Sequence, residues 1–392
     1  MKILFVNDFA PNFPGAFFES LVALSEKIHN KNNKLYYIFP LEREYIKRLD
    51  KFGEVYYCPS FKGKKFDWGL FKVVYNICKH KDIDIVHTNF GFGGPLIATL
   101  LSKVFKFHHI AHERNPSYNY SVDGVKKIKI IRARTFFGLL QKIGNTSYIA
   151  ISSAVKQSLE NYNGISPDKI TVIPNAILSK RPNIVNEDQQ KLKMLKKIKS
   201  SGNYIVGMTA HLGPQKDHKT LINAAKIVIK QKSNVHFVLI GGNLVNDKDN
   251  YREKIKKYIQ KEGVDKNFHF LGEVQSPMPF VELCDIGCLI SNWEGFGNAL
   301  VEYMLKKKPV IGTAVGGIND IIDDGTNGFL VTLRDSALLA EKIIYLIENP
   351  QRAKEMGEKG YQKAIREYDM DRWVNRVIEV YESVLQDEKY IY

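Results

Sequence analysis

Four cysteines in 392 residues are too few to staple this chain. Disulfide-built folds are small and dense in cysteine, so Cys58, Cys78, Cys284 and Cys288 point to a reducing compartment. Cys284 and Cys288 could suggest a ligand pair. They lie in the apolar run Cys-Asp-Ile-Gly-Cys-Leu-Ile over 284–290, with no second Cys/His pair beside them, and read better as buried strand cysteines. No apolar stretch approaches the ~18 residues of a membrane-spanning helix. The opening run Met1-Lys2-Ile3-Leu4-Phe5-Val6 turns polar at Asn7-Asp8, too soon for a signal peptide. The expected location is cytoplasmic. No Asp-x-Asp pair presents itself as a metal site.

Acidic residues are missing altogether between Gly124 and Leu159, where Lys126, Lys127, Lys129, Arg132, Arg134, Lys142 and Lys156 sit. This is the focus of a wider asymmetry. Residues 1–180 carry 26 Lys and Arg against 14 Asp and Glu, and residues 181–392 carry 31 against 28, so most of the net charge of +15 lies in the first half. Such a field attracts an anionic surface, either lipid or nucleic acid.

The length suits two domains, and the apolar patterning supports them. Short apolar runs at 3–6, 35–39, 83–87, 109–112, 148–152 and 169–175 alternate with helical spacings such as 17–28 and 95–105. After a polar, Lys-rich stretch the alternation restarts, with strands at 204–208, 235–240, 268–272, 286–291, 309–313 and 328–331 and helices over 336–349, 353–368 and from about 372. Strand–helix alternation implies parallel sheets, hence an α/β fold of two doubly wound domains. The expected division is a domain over 1–178, a linker over 179–202, a second domain over 203–371, and a last helix over 372–392 that packs back toward the first domain. Ligands of such sheets bind beyond the C-terminal strand ends, and the default site is a cleft between the domains.

Chemistry concentrates in Ser291-Asn292-Trp293-Glu294-Gly295-Phe296-Gly297-Asn298-Ala299-Leu300-Val301-Glu302. A strand delivers the chain to Glu294, glycines allow close backbone approach, and a helix begins near Asn298 with unpaired N–H groups that suit a phosphate. Glu302, one turn in, is placed to accept hydrogen bonds from sugar or ribose hydroxyls. Alone, the same pattern also describes an ordinary strand-to-helix turn with solvated acids.

The segment resembles the Glu-x7-Glu motif of retaining GT-B glycosyltransferases, notably glycosyltransferase family 4. Lys308-Pro309-Val310-Ile311-Gly312-Thr313-Ala314-Val315-Gly316-Gly317 and Asp324-Gly325-Thr326-Asn327-Gly328 are similar to the strand, Gly-Gly loop and turn that follow it in that family. The resemblance implies a GT-B fold of two Rossmann-like domains facing across a cleft, the second holding a nucleotide sugar and the first an acceptor. It implies that Glu294 meets donor-sugar hydroxyls and Glu302 the ribose. The backbone amides of Phe296, Gly297 and Asn298 would orient the sugar, and those of Ala299 and Leu300 would reach toward the diphosphate.

Three further segments carry the likeness. Thr209-Ala210-His211-Leu212-Gly213-Pro214-Gln215-Lys216 resembles a Gly-Arg-Leu-x-x-x-Lys segment whose two cations stabilise the leaving diphosphate. Lys216 matches, whereas His211 stands at the Arg position and would need protonation beside phosphate to restore the charge. Ile110-Ala111-His112-Glu113 resembles a strand-end histidine that lines the sugar pocket, more a positioning group than a base. Pro11-Asn12-Phe13-Pro14-Gly15-Ala16 resembles a Gly-Gly loop, with Gly15 kept and Ala16 at the second glycine.

The expected reaction is transfer, with retention, of a hexose from a UDP-sugar to a lipid-linked or cell-surface polysaccharide precursor, with no metal or other cofactor. A nucleotide-sugar epimerase and a non-catalytic subunit of a glycan-synthesis complex are the rival readings. The basic amphipathic stretch 125–142 suits peripheral contact with the anionic inner face of the cell membrane, as in family members acting on lipid-linked acceptors. A solvated helix packed by its apolar side is the plainer alternative. Nucleic acid is not an expected partner, because no recognition motif accompanies the charge.

Overall fold

Residues 1–10, 14–60, 66–90, 93–116, 127–177, 186–243 and 250–387 are described by the computed structural model. In chain order the first part runs β1 (Lys2–Asn7), α1 (Ala16–His29), β2 (Lys34–Phe39), β3 (Gly53–Tyr57), α2 (Trp68–Lys81), β4 (Ile85–Asn89), α3 (Gly93–Phe105), β5 (His108–Glu113), α4 (Lys127–Ile143), β6 (Thr146–Ala150), α5 (Ser153–Ser158) and β7 (Ile170–Val172). The second runs α6 (Asn186–Ser200), β8 (Tyr204–Thr209), α7 (His218–Gln231), β9 (Val235–Ile240), α8 (Tyr251–Lys261), β10 (Phe268–Gly272), α9 (Met278–Leu283), β11 (Ile286–Leu289), α10 (Asn298–Leu305), β12 (Val310–Thr313), α11 (Ile318–Ile321), β13 (Gly328–Val331), α12 (Ser336–Glu348) and α13 (Pro350–Glu367). Last comes α14 (Met370–Asp387).

The chain divides into two units, residues 1–176 with 369–392, and residues 177–368. The first holds a seven-stranded sheet in the order β3-β2-β1-β4-β5-β6-β7 and the second a six-stranded sheet, β10-β9-β8-β11-β12-β13. All the pairings are parallel. Parallel sheets are covered on both faces, which is why their strands read as apolar runs rather than alternating ones.

In β1, Ile3 and Phe5 face one core of the first unit while Leu4 and Val6 face the other, as the two-residue strand period requires. The first core is completed by α14, whose Trp373, Val374, Val377, Ile378, Tyr381 and Val384 recur at helical spacing. Thus α14 belongs to the first unit although it follows the second in sequence.

The stretch read as a linker over 179–202 is corrected in part. Residues 186–200 form α6 within the second unit. Leu192 and Leu195 are buried, Lys199 pairs with Asp285, and the Lys191 Nζ donates to Glu273 O at 3.2 Å. Leu192 and Leu195, three residues apart, mark its inner side, while Lys193, Lys196 and Lys197 are exposed. Residues 178–185 lie outside the described ones. Cys284 and Cys288 are buried without a disulfide, and burial pushes the Cys284 thiol up to about 12. Among the described residues no helix is long and apolar enough to cross a membrane.

Candidate active site

In the second unit two loops at the C-terminal sheet edge are laced together. The loop after β8 carries Lys216 and the loop after β11 carries Glu294. Asn292 N donates to Gln215 O at 2.8 Å, Gln215 Nε2 to Trp293 O at 3.0 Å, and Asp217 N to Ile290 O at 2.9 Å. Thr313, ending β12, closes the array: its hydroxyl accepts from Ser291 N at 2.9 Å and donates to Ser291 O at 2.8 Å. On this frame the buried Lys216 ammonium donates to Glu294 Oε2, and the Ser291 hydroxyl donates to the same oxygen at 3.3 Å. A buried lysine held against a half-buried carboxylate leaves its other N–H bonds for an anionic ligand.

Glycines set how closely these loops approach. Gly316 has φ +52, and a Cβ there would lie 1.9 Å from Glu294 O. Gly241 has φ +144, and a Cβ would lie 2.1 Å from Ala210 O, beside His211. Gly207 of β8 and Gly287 of β11 clear space for Tyr303 of α10, since a Cβ on Gly287 would lie 2.2 Å from the Tyr303 ring. The Tyr303 hydroxyl also meets Thr209 Oγ1 at 3.2 Å. This packing seats α10 on the sheet and with it Glu302, which is buried rather than a solvated surface acid. Gly297, at φ +111, precedes the helix.

One expectation fails here. The Leu300 amide is not available to a diphosphate, because it donates to Gly297 O at 2.9 Å. The first helical turn closes earlier than the motif suggests. At His211, burial and then the charge of Lys216 pull the pKa below the usual histidine value, and Glu294 pulls the other way. The side chains of Phe296 and Leu300 are core residues, Phe296 edge-on to Tyr368 at 5.3 Å, so at these positions only backbone faces a ligand. Ser291, Gln215 and Thr313 were not singled out from the sequence. Their roles depend on loop pairings that span 78 residues from Gln215 to Trp293 and 22 from Ser291 to Thr313, with no local signal.

Gly15 and His112 belong to the first unit. Gly15 caps α1 with φ −96, and a Cβ there would meet nothing within 4 Å among the described residues. Among the described residues nothing packs closely enough to demand glycine at this position. Pro11 to Phe13 lie outside the described residues. His112 is buried at the end of β5, with Nδ1 3.2 Å from Nε2 of His87, whose own Nδ1 meets the Tyr381 hydroxyl. Close by, Arg114 is buried and donates to Asn175 Oδ1 at 2.9 Å and Asn89 Oδ1 at 3.2 Å, under the rings of Phe17 and Phe90. Burial pulls the Arg114 pKa down to about 9 and pushes the Glu113 carboxyl up to about 7.

Comparison with known proteins bears on the family and the fold. Residues 9–181 match the family model described as Glycosyltransferase Family 4, and residues 190–363 match Glycosyl transferases group 1. An uncharacterized glycosyltransferase of Methanocaldococcus jannaschii is 28% identical over 332 residues, 83% of this chain and 82% of that protein. The capsular polysaccharide biosynthesis glycosyltransferase CapM of Staphylococcus aureus is 24% identical over 287 residues, 70% of this chain and 73% of CapM. The crystal structure of Anabaena HepE in complex with UDP-glucose shares the fold, with TM-score 0.78 and 21% identity across 98% of this chain and 100% of HepE. Two adjoining family matches, glycosyltransferase relatives along most of the chain and two Rossmann-like parallel-sheet units agree: this chain belongs to the family 4, group 1 glycosyltransferases of GT-B fold.

Proposed function

We propose that the protein is a retaining hexosyltransferase that takes a sugar from a UDP-sugar and adds it to a glycan acceptor of polysaccharide synthesis. The observation that carries this reading is the buried Lys216–Glu294 pair beside glycine-lined loops, with Glu302 seated on the adjoining helix. The UDP-glucose bound to HepE and the capsular role in the name of CapM favour the donor and acceptor classes. In the proposed step the bond from the anomeric carbon to the phosphate oxygen breaks as the bond to the acceptor oxygen forms on the same face. The acceptor's proton passes to the departing phosphate oxygen. Lys216 stabilises the charge that develops there, Glu294 orients sugar hydroxyls, Glu302 holds the ribose and His112 meets a ligand hydroxyl. No protein nucleophile and no metal ion enters this scheme, so turnover should survive a chelator.

The test is nucleotide release from a panel of UDP-, GDP- and ADP-sugars, by wild type and Glu302→Ala side by side. One UDP-sugar should be turned over, with kcat/KM roughly tenfold to a hundredfold lower in the variant, the worth of charge-assisted hydrogen bonds. The anomeric configuration of the product, read by NMR, should match that of the donor. Release from no donor, together with no thermal shift by any nucleotide, would overturn the reading.

The same reading includes contact with an anionic membrane through α4. Its surface exposes Ile131, Phe136 and Leu139 together with Arg132 and Arg134, an apolar and cationic mixture suited to the lipid interface. Each cation near such a surface contributes about 1 kcal/mol. Ile131→Glu/Leu139→Glu should abolish co-sedimentation with phosphatidylglycerol vesicles and leave nucleotide release unchanged. Equal sedimentation of variant and wild type would remove α4 from the membrane contact.

A further inference from the structure

The direction of the hydrogen bonds behind His112 follows from counting protons. His87 and His112 are both buried, and both are neutral: burial and the nearby Arg114 charge pull His87 down to about 3 and His112 well below the usual value. Each ring therefore holds one hydrogen, leaving two consistent arrangements. In one, the Tyr381 hydroxyl donates to His87 Nδ1, His87 Nε2–H donates to His112 Nδ1, and His112 carries its hydrogen on Nε2. In the other every bond is reversed: His112 Nδ1–H donates to His87 Nε2 and His87 Nδ1–H donates to the phenol oxygen.

The surroundings decide between them. Among the described residues the buried Tyr381 hydroxyl has His87 as its only hydrogen-bond partner. The reversed arrangement would leave the phenolic hydrogen buried without an acceptor, in addition to an unmet His112 Nε2. The forward arrangement leaves a single unmet group, the Nε2–H of His112. Each buried polar group without a partner costs its full desolvation. The forward arrangement has one such group fewer.

We propose that Tyr381 and His87 are positioning residues that hold His112 as a hydrogen-bond donor through Nε2, prepared for a ligand oxygen. Their role as part of an active site rests on the glycosyltransferase reading above; the proton placement does not. Tyr381 is supplied by α14, so the chain's last described helix reaches His112 from 269 residues away. A hydrogen on Nε2 rules out that nitrogen as a base, and His112 instead donates to a sugar hydroxyl or developing oxyanion. The unmet buried donor is the kind of group that a bound ligand satisfies and that the empty protein tolerates at a cost in stability.

The test is a nitrogen-15 NMR measurement of histidine tautomers in the full-length chain, with His112 assigned by the signal lost in His112→Gln. Wild type should show His112 neutral with its proton on Nε2. Tyr381→Phe keeps the ring, removes the donor and should let His112 populate the Nδ1–H form, with kcat/KM for the donor falling roughly tenfold to a hundredfold, as outer partners of a site histidine do elsewhere. A proton on Nδ1 in wild type would overturn the relay, and that measurement needs no variant to fold. Unchanged tautomer and turnover in Tyr381→Phe would also overturn it. The expected tautomers in a protein that releases no nucleotide would support the relay and count against the enzymatic reading alone.

Discussion

Lys216→Met should lower turnover by roughly a hundredfold to a thousandfold, the range seen when one preorganised donor to a developing negative charge is removed. It should also destabilise the second unit, and the two effects have different origins. The Lys216 side chain is 8% exposed and that of Glu294 14%. Breaking a buried pair from one side leaves an uncompensated charge, which costs about 3–5 kcal/mol when burial is complete. Here Ser291 still donates to Glu294 and some solvent reaches the carboxylate, so the loss should fall at or below the lower end. Adding Glu294→Gln removes that charge. Lys216→Met/Glu294→Gln should therefore recover most of the unfolding free energy, measured by urea denaturation, while turnover stays at or below that of the single variant. A Lys216→Met protein that loses stability but keeps wild-type turnover would make Lys216 a structural cation only.

The parts of this site legible in the sequence are those whose chemistry is local. Glu294, Gly297 and Glu302 fall within nine residues of one strand-to-helix turn, and spacing alone puts the two acids on either side of a helix start. The parallel strands were legible for a related reason, since burial on both faces makes each an unbroken apolar run. The polar helix α6 was hidden, because two buried leucines among fifteen Lys-rich residues look like solvated chain. Neighbourhood effects were hidden too. Nothing in the segment around His211 tells that the ring is largely buried, which pulls its pKa down, and nothing around His112 tells that Tyr381 stands behind it. Leu300 shows the finer limit: the motif names the right turn, but which amides stay unpaired depends on whether the first turn closes on Gly297.

Glycine substitutions separate what the fold requires from what a ligand requires. Gly316→Ala should be among the most damaging single-methyl changes in the second unit. Its φ of +52 is left-handed, which costs an L-residue about 1–2 kcal/mol. The larger penalty is steric, because the added Cβ would sit 1.9 Å from Glu294 O, and both partners are backbone that cannot rotate away. To reach a tolerable contact of about 3.0 Å, one of them must move by roughly an ångström. The adjoining Gly317 amide, which donates to Glu294 O at 3.2 Å, would lose that bond. Glu294 and its Lys216 partner would move with the loop, and a displacement of about 1 Å can lower the rate on the order of a hundredfold. Gly316→Ala should thus lower both the melting temperature and kcat/KM for the donor. Gly15→Ala is the contrast: φ is −96 and a Cβ would meet nothing within 4 Å among the described residues, so the melting temperature should fall far less than in Gly316→Ala. Any loss of turnover in Gly15→Ala then belongs to a ligand that needs the space beside that backbone, which is what the resemblance to a glycine loop implies. Wild-type melting and turnover in Gly316→Ala would show that the Glu294 loop can shift freely, and would remove the geometric case for this turn as the donor site.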